Sequence, residues 1–92
     1  MLYFVHMRVE LPPDMPAAEA DALKAREKAY SQSLQADGHW PHLWRVVGEY
    51  ANYSVFDVPD HDTLHSLLSG LPLFPYLRLQ VTPLARHPSS IR

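Results

Sequence analysis

Glu27 stands where a packing residue is expected. Wound as a helix at about 100° per residue, the segment 16–37 gathers Ala20, Leu23, Tyr30 and Leu34 into one narrow stripe. Glu27 falls inside that stripe, while Lys24, Arg26 and Lys28 lie outside it. A carboxylate so placed faces the core or a pocket. Burial disfavours its charged form and raises its pKa toward neutrality, which is what a general base or acid needs. The plainer alternative is a structural ion pair with Lys24 or Arg45.

The segment 51–58, ANYSVFDV, offers a second surface. Read as a strand, it places Tyr50, Asn52, Ser54 and Phe56 on one face and Ala51, Tyr53 and Val55 on the other. Two polar side chains between aromatics suit a hydrogen-bonding wall for a small polar ligand; a plain solvated face is the alternative. Arg8 and Arg45 are candidate anion holders, each also explicable as a strand arginine facing water. Trp40 and Trp44 flank a bend, as core or interface residues or as a ligand platform.

Other chemistries fit less well. His39 and His42 stand three apart, and His61 and His65 four apart. Zinc tolerates both spacings, but no further ligand set accompanies them, so no metal is expected. The glycines are isolated and form no phosphate loop. Spacing alone supports no Ser-His-Asp set. With no cysteine, disulfides, thiolate ligands and thiol nucleophiles are excluded.

The elements that carry these residues follow from pattern. Residues 2–11 read as a first strand, with Tyr3, Val5, Met7 and Val9 on one face and Leu2, Phe4, His6 and Arg8 on the other. PPDMP ends it, and Asp14 is the expected N-cap of the helix 16–37, which Gly38 stops. Strands are expected at 43–50 and 51–58, and a helix at 61–70 capped by Asp60, with Leu64, Leu67, Leu68 and Leu71 as its apolar stripe. A last strand spans 76–82. The order βαββαβ predicts an α+β, ferredoxin-like sandwich, with two helices on one face of an antiparallel sheet. We expect one domain at 1–83 and a proline-broken C-terminal arm at 84–92, at a subunit interface.

Composition bounds the rest. A chain of 92 residues buries a modest core and gains from association. Without disulfides, and with one sheet face uncovered, a homo-oligomer is expected. The net charge of −2 and the scattered basic residues argue against nucleic acid as a partner. No apolar run is long enough to span a membrane, and the start MLYFVHMRVE reads as a strand rather than a signal peptide, so a cytoplasmic home is expected.

The run LKAREKAYSQSLQADGHWPHLWRVVGEYANYSVFDV, then LPLFPY and the closing RHPSSI, resembles the muconolactone delta-isomerase family over residues 1–91. It is also similar to 5-chloromuconolactone dehalogenase, although ANYSVFDV and RHPSSI are closer to the isomerases. His6 and His39 depart from the arginine and lysine common in the family at those positions. The resemblance implies a ferredoxin-like fold, a homodecamer, a role in the β-ketoadipate pathway of aromatic breakdown, and no metal or organic cofactor. It implies a small lactone carboxylate as substrate, whose ring double bond moves as muconolactone becomes 3-oxoadipate enol-lactone. On that reading Glu27 is the base, and Asn52, Ser54 or Tyr50 donates to the enolate oxygen. Lys24, Arg8 or Arg45 holds the substrate carboxylate, and Tyr50, Phe56 and Trp40 supply aromatic lining. Two rivals remain open: the dehalogenase, which releases chloride from the same dienolate, and a non-catalytic oligomeric ligand-binding module.

Overall fold

A computed structural model describes residues 1–92. Strand β1 (Leu2–Val9) is followed by helix α1 (Ala17–Ala36), strands β2 (His42–Arg45) and β3 (Ala51–Asp57), helix α2 (His61–Ser69), a 3-10 turn (Phe74–Tyr76) and strand β4 (Leu77–Leu84). The sheet order is β2-β3-β1-β4, antiparallel at every pairing. This is the expected βαββαβ, ferredoxin-like arrangement.

The alternation of β1 sets the two faces. Tyr3, Val5 and Met7 are buried and form one core with Phe56 and Val58, Leu34 of α1, and Leu64, Leu68 and Leu71 of α2 and its following turn. Both helices therefore cover one face of the sheet. The other face carries Phe4 and His6 against Tyr53, with ring centroids 5.0 Å apart in each pair, and His42 stacked on Trp44. No element of this chain covers it.

Several boundaries differ from expectation. The N-cap of α1 is Pro16, not Asp14, which lies in the turn before it. A proline disfavours helical backbone at the residue before it, so the helix cannot begin earlier. Strand β2 ends at Arg45 rather than at residue 50. Gly48 takes a φ of +82°, and the Glu49 N–H donates to Val46 O, so 46–50 is a hairpin turn in spite of its two valines. Strand β4 runs on to Leu84, carrying Pro83 on an edge strand whose outer side needs no donor. Asp60 caps α2 as expected, its carboxylate accepting the Thr63 N–H at 2.7 Å. Residues 85–92 form no helix or strand and are exposed.

Candidate active site

Glu27 reaches its place because α1 lays the face of Ala20, Ser31 and Leu34 on the sheet. Glu27 belongs to that face and is half-buried, its carboxylate in a cleft of about 220 Å³. Lys24, Lys28 and Ser31 share its helical wall. Tyr50 and Asn52 form the strand side, and Leu73 and Leu77 close it from the segment after α2. An adjoining hollow of about 260 Å³ shares Tyr50 and Asn52 and adds Arg45 and Leu43.

Desolvation pushes the Glu27 carboxyl above the ordinary carboxylate value, and the Leu73 N–H, donating to Oε1 at 3.1 Å, offsets part of that rise. None of the four ion pairs in the chain involves Glu27, which removes the structural-pair alternative. The opposing influence is thus a backbone amide and not the ammonium of Lys24. Oε2 has no hydrogen-bond partner within the chain. A carboxylate held by one oxygen, raised in basicity and open on the other oxygen can take a proton from carbon.

Opposite it, the Ser54 hydroxyl donates to Asn52 Oδ1 at 2.7 Å. That bond fixes the amide and leaves both Nδ2 hydrogens free to donate. Lys24 Nζ lies 5.4 Å and Arg45 Cζ 5.6 Å from the centre of the Tyr50 ring. Two cations thus lie against one aromatic ring, Lys24 in the cleft and Arg45 in the adjoining hollow, an arrangement that attracts an anion.

The structure brings Glu27, Lys24, Tyr50, Asn52 and Arg45 together. It does not bring Ser54, Phe56, Trp40 or Arg8 to the cleft. Ser54 and Phe56 are fully buried, and Trp40 stacks on Phe56 with centroids 4.6 Å apart, so all three are packing residues. Ser54 acts only through Asn52. Arg8 lies on the uncovered sheet face, paired with Glu49. Alternation along β1 puts it on the side away from Met7 and the helices. Sequence reasoning missed the Leu73 N–H, because a backbone donor has no residue-type signature; its one signal was the break LPLFPY after α2. It also missed Ser31, whose hydroxyl is satisfied by Lys28 O at 3.0 Å.

The model of the muconolactone delta-isomerase family matches residues 1–90. The chain belongs to the muconolactone delta-isomerase family. Among its relatives is a muconolactone delta-isomerase of Cupriavidus pinatubonensis, 72% identical over the full length of both chains. Another, from Acinetobacter lwoffii, is 64% identical over all of this chain and 96% of the relative. A crystal structure of muconolactone isomerase superposes with a TM-score of 0.95 at 58% identity, covering all of this chain and 96% of that one. The muconolactone delta-isomerase family match contains every residue of the cleft, from Val9 to Leu77.

Proposed function

We propose that this chain is an isomerase that converts muconolactone to 3-oxoadipate enol-lactone, with Glu27 as its single base. The observation that carries the proposal is the half-buried, unpaired Glu27 carboxylate facing the free amide of Asn52 across one small cleft. The substrate is a small ring with a carboxylate arm, in keeping with a cleft and adjoining hollow lined by both cationic and apolar side chains.

The chemistry follows from those positions. The free oxygen of Glu27 takes the proton from the γ carbon. The electron pair of that C–H bond spreads through the ring as a dienolate, and negative charge collects on the lactone carbonyl oxygen. The Asn52 amide donates to that oxygen, a donor fixed in advance by Ser54. Glu27 returns the proton to the α carbon from the same face, and the double bond has moved. No atom is gained or lost, so neither redox partner nor co-substrate is needed. Arg45 and Lys24 receive the substrate carboxylate above Tyr50, Arg45 with the geometry for a bidentate pair. The enzyme works as a homo-oligomer in the cytoplasm, a decamer by family resemblance, with the bare sheet face as one of its contacts.

The test is the ultraviolet assay of lactone isomerisation. Wild-type protein turns muconolactone over, and Glu27→Gln, a near-isosteric change, lowers kcat by about 10²–10⁴, the usual contribution of a positioned base. Wild-type turnover by a correctly assembled Glu27→Gln protein would remove Glu27 from the role.

A further inference from the structure

Helix α1 touches the end of α2 at two points one turn apart. At the first, Glu27 receives the Leu73 N–H. At the second, the Tyr30 hydroxyl donates to Leu67 O in the last turn of α2 at 2.9 Å. Gly70 sits against that contact. A Cβ added there would come within 2.7 Å of Tyr30 Oη and 3.3 Å of Ser66 O. Its φ is −79°, so the backbone would accept other residues, and a larger side chain would have to displace the Tyr30 hydroxyl. From Gly70 the chain makes one tight course to the Glu27 contact: Leu71 N bonds Leu68 O, and Phe74 N bonds Leu71 O. Leu71 and Leu73 are both buried, so the segment has little room to shift.

We propose that Tyr30 is a positioning residue for the isomerisation, setting the basicity and aim of Glu27 through the Leu67–Leu73 segment rather than by touching substrate. The Tyr30 hydroxyl and the space at Gly70 fix where α2 ends. That fixes where the Leu73 N–H points, and the N–H holds one carboxylate oxygen while the other faces the cleft. The proposal rests on Glu27 being the base.

The charged and titratable groups around Glu27 leave this amide a distinct part. On α1 they are Lys24, Lys28 and Tyr30; from the 46–50 turn comes Tyr50, with Arg45 of β2 beyond it. Val9 of β1, Leu73 and Leu77 bring no charge. No group of this set makes an ion pair with Glu27, and Leu73 N–H makes the one hydrogen bond to it. Loosening that bond removes a contact that favours the ionised form, so the Glu27 pKa rises.

Tyr30→Phe keeps the ring and deletes the hydroxyl; Gly70→Ala pushes the hydroxyl away without altering it. Both are measured as the full chain. The acid limb of the kcat/KM profile should move to higher pH, kcat should fall roughly three- to tenfold as the base loses its aim, and KM should stay within about twofold. A second measurement needs no turnover. The proton-uptake difference between Tyr30→Phe and Tyr30→Phe/Glu27→Gln, set against that between wild type and Glu27→Gln, reads the Glu27 titration alone. It should move up in the variant. A Glu27 titration unmoved in Tyr30→Phe, even with a lower melting temperature, overturns the proposal and reduces Tyr30 to packing. A titration that moves while the kcat/KM limb does not leaves the Tyr30 link standing and overturns Glu27 as the base.

Discussion

At the scale of the residue, the site holds a group that folding alone would not choose. Burial raises the Glu27 carboxyl above its unfolded value, so the folded chain binds the proton more tightly than the unfolded one. Stability from this group is fully present below the unfolded pKa and is lost as pH rises through the folded pKa. Above that value the ionised carboxylate is a standing destabilisation. Glu27→Gln removes the charge and keeps an oxygen to accept the Leu73 N–H. We therefore expect the Glu27→Gln protein to melt at a higher temperature than wild type near pH 7, with the difference shrinking toward zero near pH 4. Melting curves across that range check it; a variant less stable than wild type at pH 7 would mean that the charge is better compensated than the geometry allows. Asn52 shows the same division of labour in a polar group. Its oxygen is taken up by the buried Ser54 hydroxyl, so that its amide hydrogens are the part left for substrate.

At the scale of the element, the 46–50 turn carries the aromatic plate. Two links pin it to the end of β1: the Val9 N–H donates to Tyr50 O at 3.0 Å, and Arg8 pairs with Glu49. Arg8 thus holds, from the far side of the sheet, the turn that places the Tyr50 ring beside Lys24 and Arg45. An exposed pair of this kind contributes about 0–1 kcal/mol, so the effect is modest. Arg8→Gln should raise KM for muconolactone roughly two- to fivefold, with kcat nearly unchanged, and the swap Arg8→Glu/Glu49→Arg should recover most of it. Steady-state kinetics decide; an unchanged KM in Arg8→Gln would detach Arg8 from the site. The same turn marks how far the sequence can be read. Alternation puts Arg8 on the face away from the helices, and the stripe of α1 puts Glu27 at the sheet. Both are periodic properties, and periodicity survives in sequence. The partner of Arg8 lies 41 residues away, and Val46 and Val47 look like strand until Gly48 takes its positive φ. For Ser54 and Phe56 alternation gives the correct face but not the correct depth. Periodicity orders side chains around an element and is silent on how far along it the cleft ends.

At the scale of the whole molecule, 15 of 92 residues are buried, and apart from Ala51 they belong to the helix-covered side or its margins. The opposite sheet face keeps Trp44 and Tyr53 in the open at 53% and 41% exposure, beside Phe4, His6, Leu2 and Leu84. Aromatic rings presented by three neighbouring strands are a poor surface to leave to water, and a chain of this size has little core in reserve. Association would bury them and add the layer that the chain does not supply. A charge placed among them should then weaken assembly and stability together, because folding and assembly are linked by mass action. We expect Trp44→Lys/Tyr53→Glu to elute as a smaller species than wild type in size-exclusion chromatography with light scattering. Its melting temperature should fall by about 4–8 °C for each kcal/mol of stability that the interface supplies in the wild type and should depend less on protein concentration. Glu27, Asn52 and Leu73 lie on the other side of the sheet, so any drop in activity should reverse as the concentration is raised and the assembly re-forms. If the double variant keeps the wild-type mass, the subunits meet elsewhere, at the β4 edge or along the exposed residues 85–92.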